Sequence, residues 1–175
     1  MITTNFCLSC GELPTTAQVD YKAVARGAIR RIGYVYPGDG FDADSVEIQC
    51  RIHTQSADIA LGTNDEVGGA GDQGMMFGGA CTQTPELMPL PVALSRALSN
   101  RLTECVHSND LLRPDGKTQV SVEFDEKGNV VGIDTVVVSV MHSADFEMSE
   151  LRKYIREGVI APVLENYGFH IADVP

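Results

Sequence analysis

Residues 119–140 read Gln-Val-Ser-Val-Glu-Phe-Asp-Glu-Lys-Gly-Asn-Val-Val-Gly-Ile-Asp-Thr-Val-Val-Val-Ser-Val, and their pattern decides the architecture. Val120, Val122 and Phe124 alternate with polar residues at the period of two expected of a strand with one buried face. Asp125 to Asn129, with Gly128, supplies turn chemistry, and the β-branched run from Val130 to Val140 predicts the returning strand of a hairpin. Upstream, Met88-Pro89-Leu90-Pro91 leads into a helix with Pro91 near its start. Its Leu94, Leu98, Leu102 and Cys105 or Val106 form one apolar stripe, and it ends near Ser108. Downstream, Ser149 is placed to cap a last helix carrying Leu151, Ile155, Val159 or Ile160, and Val163, kinked or shortened by Pro162. Met75 to Cys81 and Phe169 to Ile171 are strand candidates, with Met75-Met76 read as core filling.

The N-terminal third repeats a smaller strand, helix, strand. Asn5 to Gly11 predicts a strand, and Asp20 an N-cap for a helix whose Tyr21, Val24, Ala25, Ala28, Ile29 and Ile32 share one stripe. Arg30 and Arg31 favour its C-terminal end, and Gly33 stops it. After the turn residues Pro37-Gly38-Asp39-Gly40, Val46, Ile48, Cys50 and Ile52 alternate with Glu47, Gln49 and Arg51 as a half-buried strand does. Leu61 to Gly74 contains five glycines together with Asp65 and Glu66, so it reads as an irregular loop. The order of elements predicts an α+β fold of antiparallel or mixed sheets with helices on one face. No strict sequence repeat is visible.

The chain has 175 residues, enough to bury about 70% of its unfolded surface. A net charge of −11 with scattered Lys and Arg opposes binding to nucleic acid and anionic membranes. No apolar run approaches the roughly 20 residues that span a bilayer, and no basic start precedes one, so the expected location is the cytoplasm. Five cysteines without framework spacing fit a reducing compartment. Cys7 and Cys10, three apart in a strand, point to opposite faces and lack partners for a metal site. His53, His107 and His170 have no ligand spacing, and His142 reads as a loop histidine bonded to backbone.

The run Gly69-Ala70-Gly71-Asp72-Gln73-Gly74-Met75-Met76-Phe77-Gly78 closely resembles the Gly-Ala-Gly-Asp-Gln-Gly signature of the methionine adenosyltransferase (S-adenosylmethionine synthetase) family. Further stretches agree in order: Gly11-Glu12 with Thr15, Ile32-Gly33-Tyr34 with Phe41-Asp42-Ala43, Gln55-Ser56 with Asp58-Ile59, and Leu112-Arg113-Pro114-Asp115-Gly116-Lys117 with Gln119-Val120. Val138-Ser139 with His142-Ser143 fits as well. The resemblance covers nearly the whole chain and implies two related synthetase-like units, 1–62 and 63–175, the first incomplete.

By the same resemblance, Glu12, Gln55 and Asp72 are methionine contacts, Asp72 also touching the nucleotide, while Asp115 and Lys117 bind ATP. Lys117 is the implied catalytic residue. Ser56 to Gly68 resembles the family's flexible lid, in shorter form. The family's partners are ATP and methionine, its cofactors Mg²⁺ and K⁺, and its active sites lie between two subunits, which implies a homodimer or higher oligomer. Its early His-Pro-Asp-Lys motif and later Gly-rich, Lys-bearing stretch do not occur in these 175 residues, nor do protein ligands for the metals. Lys117 alone would face a triphosphate leaving group, and losing even one oxyanion-stabilising donor costs about 10²-fold to 10³-fold. The expectation is therefore a family member truncated at both ends and inactive by itself. The alternatives are a non-catalytic dimerisation or regulatory partner of a full-length synthetase, and a ligand-binding module. Absent first strands would also leave an apolar sheet edge near Phe6 to Leu8.

Overall fold

The computed structural model describes residues 1–13, 15–63, 66 and 68–174. The chain divides into two compact units, Met1–Phe77 and Gly78–Pro175. The α+β expectation holds: one small mixed sheet and one antiparallel hairpin, both accompanied by helices.

In the first unit, β1 (Ile2–Thr3) pairs antiparallel with β2 (Phe6–Glu12), which pairs in parallel with β3 (Glu47–His53). Parallel neighbours need a long crossover, and α1 (Tyr21–Ile32) supplies it. Its ends are set as the sequence predicts. Ala23 N–H donates to Asp20 Oδ1 at 3.0 Å, and Gly33, left-handed at φ 110°, closes the last turn. The stripe is narrower than expected, for Ile29 is buried while Val24 and Ile32 are exposed, because the small sheet leaves the helix little surface to cover. Cys7, Ile29, Ala43, Val46 and Ile48 form the core, with Tyr34 edge-on to Phe41 at 5.1 Å. The edge at Phe6 to Leu8 is not left open: β1 lies along it, and Leu8 N–H bonds Met1 O at 2.8 Å.

A polar knot sets where β3 begins. Asp42, 6% exposed, accepts from Asp44 N–H at 2.9 Å, from Ser45 N–H at 3.0 Å and from the Ser45 hydroxyl. Arg26 of α1 donates to the carbonyls of Ala43 at 2.6 Å, Asp44 at 3.1 Å and Val46 at 3.0 Å, so the helix holds the loop through its backbone. Arg30 pairs with Asp44 outside it.

Past β3, a short helix α2 (Ala57–Thr63) occupies the start of the stretch expected to be irregular. Asn64, Asp65 and Val67 of the lid-like segment lie outside the described residues. Met75 to Cys81 is not a strand, and Met75, Met76 and Phe77 are 79%, 91% and 89% exposed rather than core. Gly74, Gly78 and Gly79 flank them, which raises the entropic cost of extension, and among the described residues no strand pairs with them.

The second unit is built on α3 (Leu90–Ser108) and the hairpin of β4 (Leu112–Phe124) and β5 (Val130–His142). Leu94, Leu98, Leu102 and Cys105 of α3 join Leu112, Val120 and Ile133 of the hairpin in one core. The strands are longer than predicted. Asp115-Gly116-Lys117, which by itself reads as a turn, is drawn into β4 by pairing of Gly116 with Val140 and Lys117 with Ser139.

The last helix starts two residues earlier than Ser149 implies. Glu147 precedes α4 (Met148–Ile155) without a side-chain cap, and Phe146 and Leu151, at staple positions around that start, are both buried in the core. Pro162 cannot donate and would crowd the Gly158 carbonyl, so the chain widens into a π-turn (Arg156–Ile160) before α5 (Ala161–Asn166). The freed Gly158 carbonyl accepts from Arg101 Nε of α3 at 2.9 Å. The expected strand at Phe169 to Ile171 is replaced by a 3₁₀ turn, Ile171–Asp173, closed by Asp173 N–H on His170 O at 3.0 Å, since no strand edge is paired there.

Leu98 is fully buried, so Leu98→Ala is expected to lower unfolding stability by about 2–5 kcal/mol through lost transfer energy and the cavity left. A urea midpoint shift equivalent to less than about 1 kcal/mol would show that α3 is not the core element. Hydrogen bonds from the Ser45 hydroxyl first, and then its N–H, hold the Asp42 carboxyl below its ordinary value of 3.8. Its contribution is complete above that value and drains away as pH falls through the lower folded one. Asp42→Asn should flatten the acid limb of stability below about pH 4. An acid limb identical in the two proteins would refute this account of the knot.

Candidate functional site

Glu12 ends β2, and its partner in the parallel register is His53 at the end of β3. Leu13 N–H bonds His53 O at 2.9 Å and continues the pairing one residue further. Gln55 follows two residues later, half-buried, whereas Glu12 is exposed. Because parallel strands finish at the same end, Glu12 and Gln55 stand at one carboxyl edge, the place where open α/β sheets commonly receive ligands. The Asp42 and Arg26 contacts, which sequence reading missed as a pair, fix the start of β3 and through it the height of Gln55. The Asx-turn pattern of Asp42-Ala43-Asp44-Ser45 was the available signal.

Asp72 lies on an exposed stretch without regular structure, its carboxylate accepting from Gln73 N–H at 3.0 Å. The glycines before it rest on α2: a Cβ on Gly69 would strike the carbonyl of Gly62, and one on Gly71 would lie 3.4 Å from Thr63 Cγ2. Side chains are therefore excluded at 69 by contact with the helix rather than by a turn.

In the second unit Asp115 and Lys117 sit on β4. Three features turn the even-numbered residues of this strand toward α3. A Cβ on Gly116 would lie 2.6 Å from Leu102 Cδ2, Thr118 Oγ1 donates to Ser95 O at 2.8 Å, and Val120 is buried. Alternation then points Lys117 away from the helix. Asp115 and Lys117 are exposed, and neither joins an ion pair among the described residues. A register shift between Leu112 and Gly116 takes in Asp115, whereas Lys117 lies in the regular pairing beyond it. Arg113, beside them, is buried, with Nη1 2.6 Å from Asp110 O and 3.0 Å from Leu112 O, so it braces the entry to β4. His142 Nδ1 lies 2.8 Å from Ser143 O, the backbone contact anticipated for it, though from a strand end.

Among the described residues no three His, Cys, Asp or Glu side chains converge to hold a metal ion. All five cysteines are free thiols, with Cys7 buried and Cys10 exposed as expected for opposite strand faces. No described helix is long and apolar enough to cross a membrane. The described side chains thus offer a carboxylate and an amide at one strand end, and a carboxylate and an unpaired ammonium on a sheet face.

Residues 1–57 match the family profile of the S-adenosylmethionine synthetase N-terminal domain, and residues 67–173 that of its central domain. The chain is 46% identical over 167 residues to the S-adenosylmethionine synthase of Fusobacterium nucleatum subsp. nucleatum. That alignment takes in 94% of this chain and 43% of the relative, so the chain spans less than half the length of the protein it matches. Two consecutive domain profiles in their proper order, together with this identity, establish that the chain belongs to the S-adenosylmethionine synthetase family.

Proposed function

We propose that these 175 residues furnish part of a synthetase pocket in which methionine and ATP combine to S-adenosylmethionine, phosphate and diphosphate. In that reaction the methionine sulfur attacks C5′ of ATP, the C5′–O bond breaks, triphosphate departs with the electron pair, and a water molecule then cleaves it to phosphate and diphosphate. The chemistry demands alignment of two substrates and stabilisation of the leaving oxygens more than it demands a base. Glu12 and Gln55 address the methionine, with Asp72 reaching both substrates, while Asp115 and Lys117 take the nucleotide. The single observation that carries this is the exposed Lys117, without an ion pair among the described residues, on a face of β4 backed by Gly116 and Thr118.

The family uses Mg²⁺ and K⁺, and one lysine in a chain of net charge −11 does not balance a triphosphate by itself. The 175-residue chain by itself therefore holds ligands without turning them over, in a cytoplasmic setting. It completes its pocket by association with a second subunit. Val137 and Met141, exposed on the same outer face as Lys117, support assembly through that face.

With ATP, methionine, Mg²⁺ and K⁺, the purified chain is expected to form no measurable S-adenosylmethionine. Turnover that Lys117→Ala abolishes would overturn the proposed inactivity. In calorimetry, Lys117→Ala should weaken ATP binding about tenfold, as loss of a charge-assisted contact does, and leave methionine binding unchanged. Equal ATP affinity in the two proteins would remove Lys117 from the site.

A further inference from the structure

Ser139 stands directly across the strand pair from Lys117. Opposed residues of an antiparallel ladder project to the same face with β-carbons about 5 Å apart. That face is the one turned away from α3, and both residues are exposed on it. The hydroxyls of Ser95, Thr103, Ser108 and Thr118 are each committed to a backbone carbonyl. Among the described residues the Ser139 hydroxyl and the Lys117 ammonium make no such bond. An uncommitted donor thus lies beside an uncommitted cation, on a ladder whose pairing is regular from Gly116 to Ser121.

The two groups are complementary. A lysine ammonium is a mobile point charge on a long stem, so by itself it attracts an anion without fixing its position. A serine hydroxyl sits one bond from Cβ and takes its place from the strand. The next rung on the same face, Gln119 with Val137, puts an apolar residue on β5, so the neutral donor nearest Lys117 across the ladder is Ser139. We propose that Ser139 is a second hydrogen-bond donor to the phosphoryl oxygens held by Lys117, setting the register of a nucleotide's polyphosphate chain on the outer face of the hairpin. The inference rests on the reading of Lys117 as the phosphate-side cation.

The test is calorimetric titration of the 175-residue chain with inorganic tripolyphosphate in magnesium buffer, using wild type, Ser139→Ala, Ser139→Thr and Lys117→Ala. Urea midpoints of all four establish that each is folded. Ser139→Ala is expected to bind about five- to tenfold more weakly, the loss of one hydrogen bond to a charged group, and Ser139→Thr to bind within about twofold of wild type. Should Lys117→Ala lose binding while Ser139→Ala keeps it, the proposal for Ser139 is overturned and the role of Lys117 stands. Should Ser139→Thr lose binding as fully as Ser139→Ala, the position serves packing rather than donation, which also overturns it. No saturable binding by wild type, or undiminished binding by Lys117→Ala, overturns the role of Lys117 and the proposal with it.

Discussion

Helix α3 lies as close to the hairpin as it does because position 116 carries no side chain. A methyl group there would press into Leu102, and the helix would have to lift from β4 or the strand would have to rotate. Two residues on, Thr118 reaches the Ser95 carbonyl and prevents that rotation. Once even-numbered residues of β4 face the helix, the two-residue period leaves no freedom to Lys117, and the cross-strand register leaves none to Ser139. The chemistry offered by this sheet is thus a consequence of packing on its opposite side.

Both units solve a related problem in the same way, using an arginine to satisfy carbonyls that regular structure leaves over. Pro162 removes one donor from the last helix, and the π-turn that accommodates it turns the Gly158 carbonyl toward Arg101 of α3. In the first unit Arg26 gathers three carbonyls of the bend before β3. A guanidinium suits this task because its donors are fixed in a plane and its charge persists at any pH the fold survives. Each contact ties a helix to an irregular segment that apolar packing alone would not hold in one conformation.

Legibility followed the range of the forces involved. The caps of α1, the leucine stripe of α3 and the hairpin around Gly128 are local patterns, and all stand where the sequence puts them. Errors arose where a distant partner decided the outcome. Asp115, Gly116 and Lys117 look like a turn until β5 is laid alongside them, and Ser149 looks like a cap until Phe146 and Leu151 are seen buried together. Met75 to Phe77 has strand composition but no strand beside it, which composition cannot reveal. The roles proposed for Glu12, Gln55, Asp72, Asp115 and Lys117 rest on family likeness, since a surface carboxylate, amide or lysine has no pattern of its own. The knot of Asp42 with Arg26 was hidden because five of its six hydrogen bonds have a backbone group at one end.

The parallel pairing of β2 with β3 carries a cost that the hairpin escapes. Residues 13–46 separate those strands, against residues 125–129 between β4 and β5. Chain-closure entropy rises with the logarithm of loop length, and a ratio near seven amounts to about 1.7 kcal/mol. Helix α1 withdraws 12 residues from that span, so it acts as a tether-shortener as well as a cover for the sheet. The Asp20 and Gly33 caps that make α1 a self-sufficient helix thereby also reduce the entropy lost in bringing Glu12 level with His53.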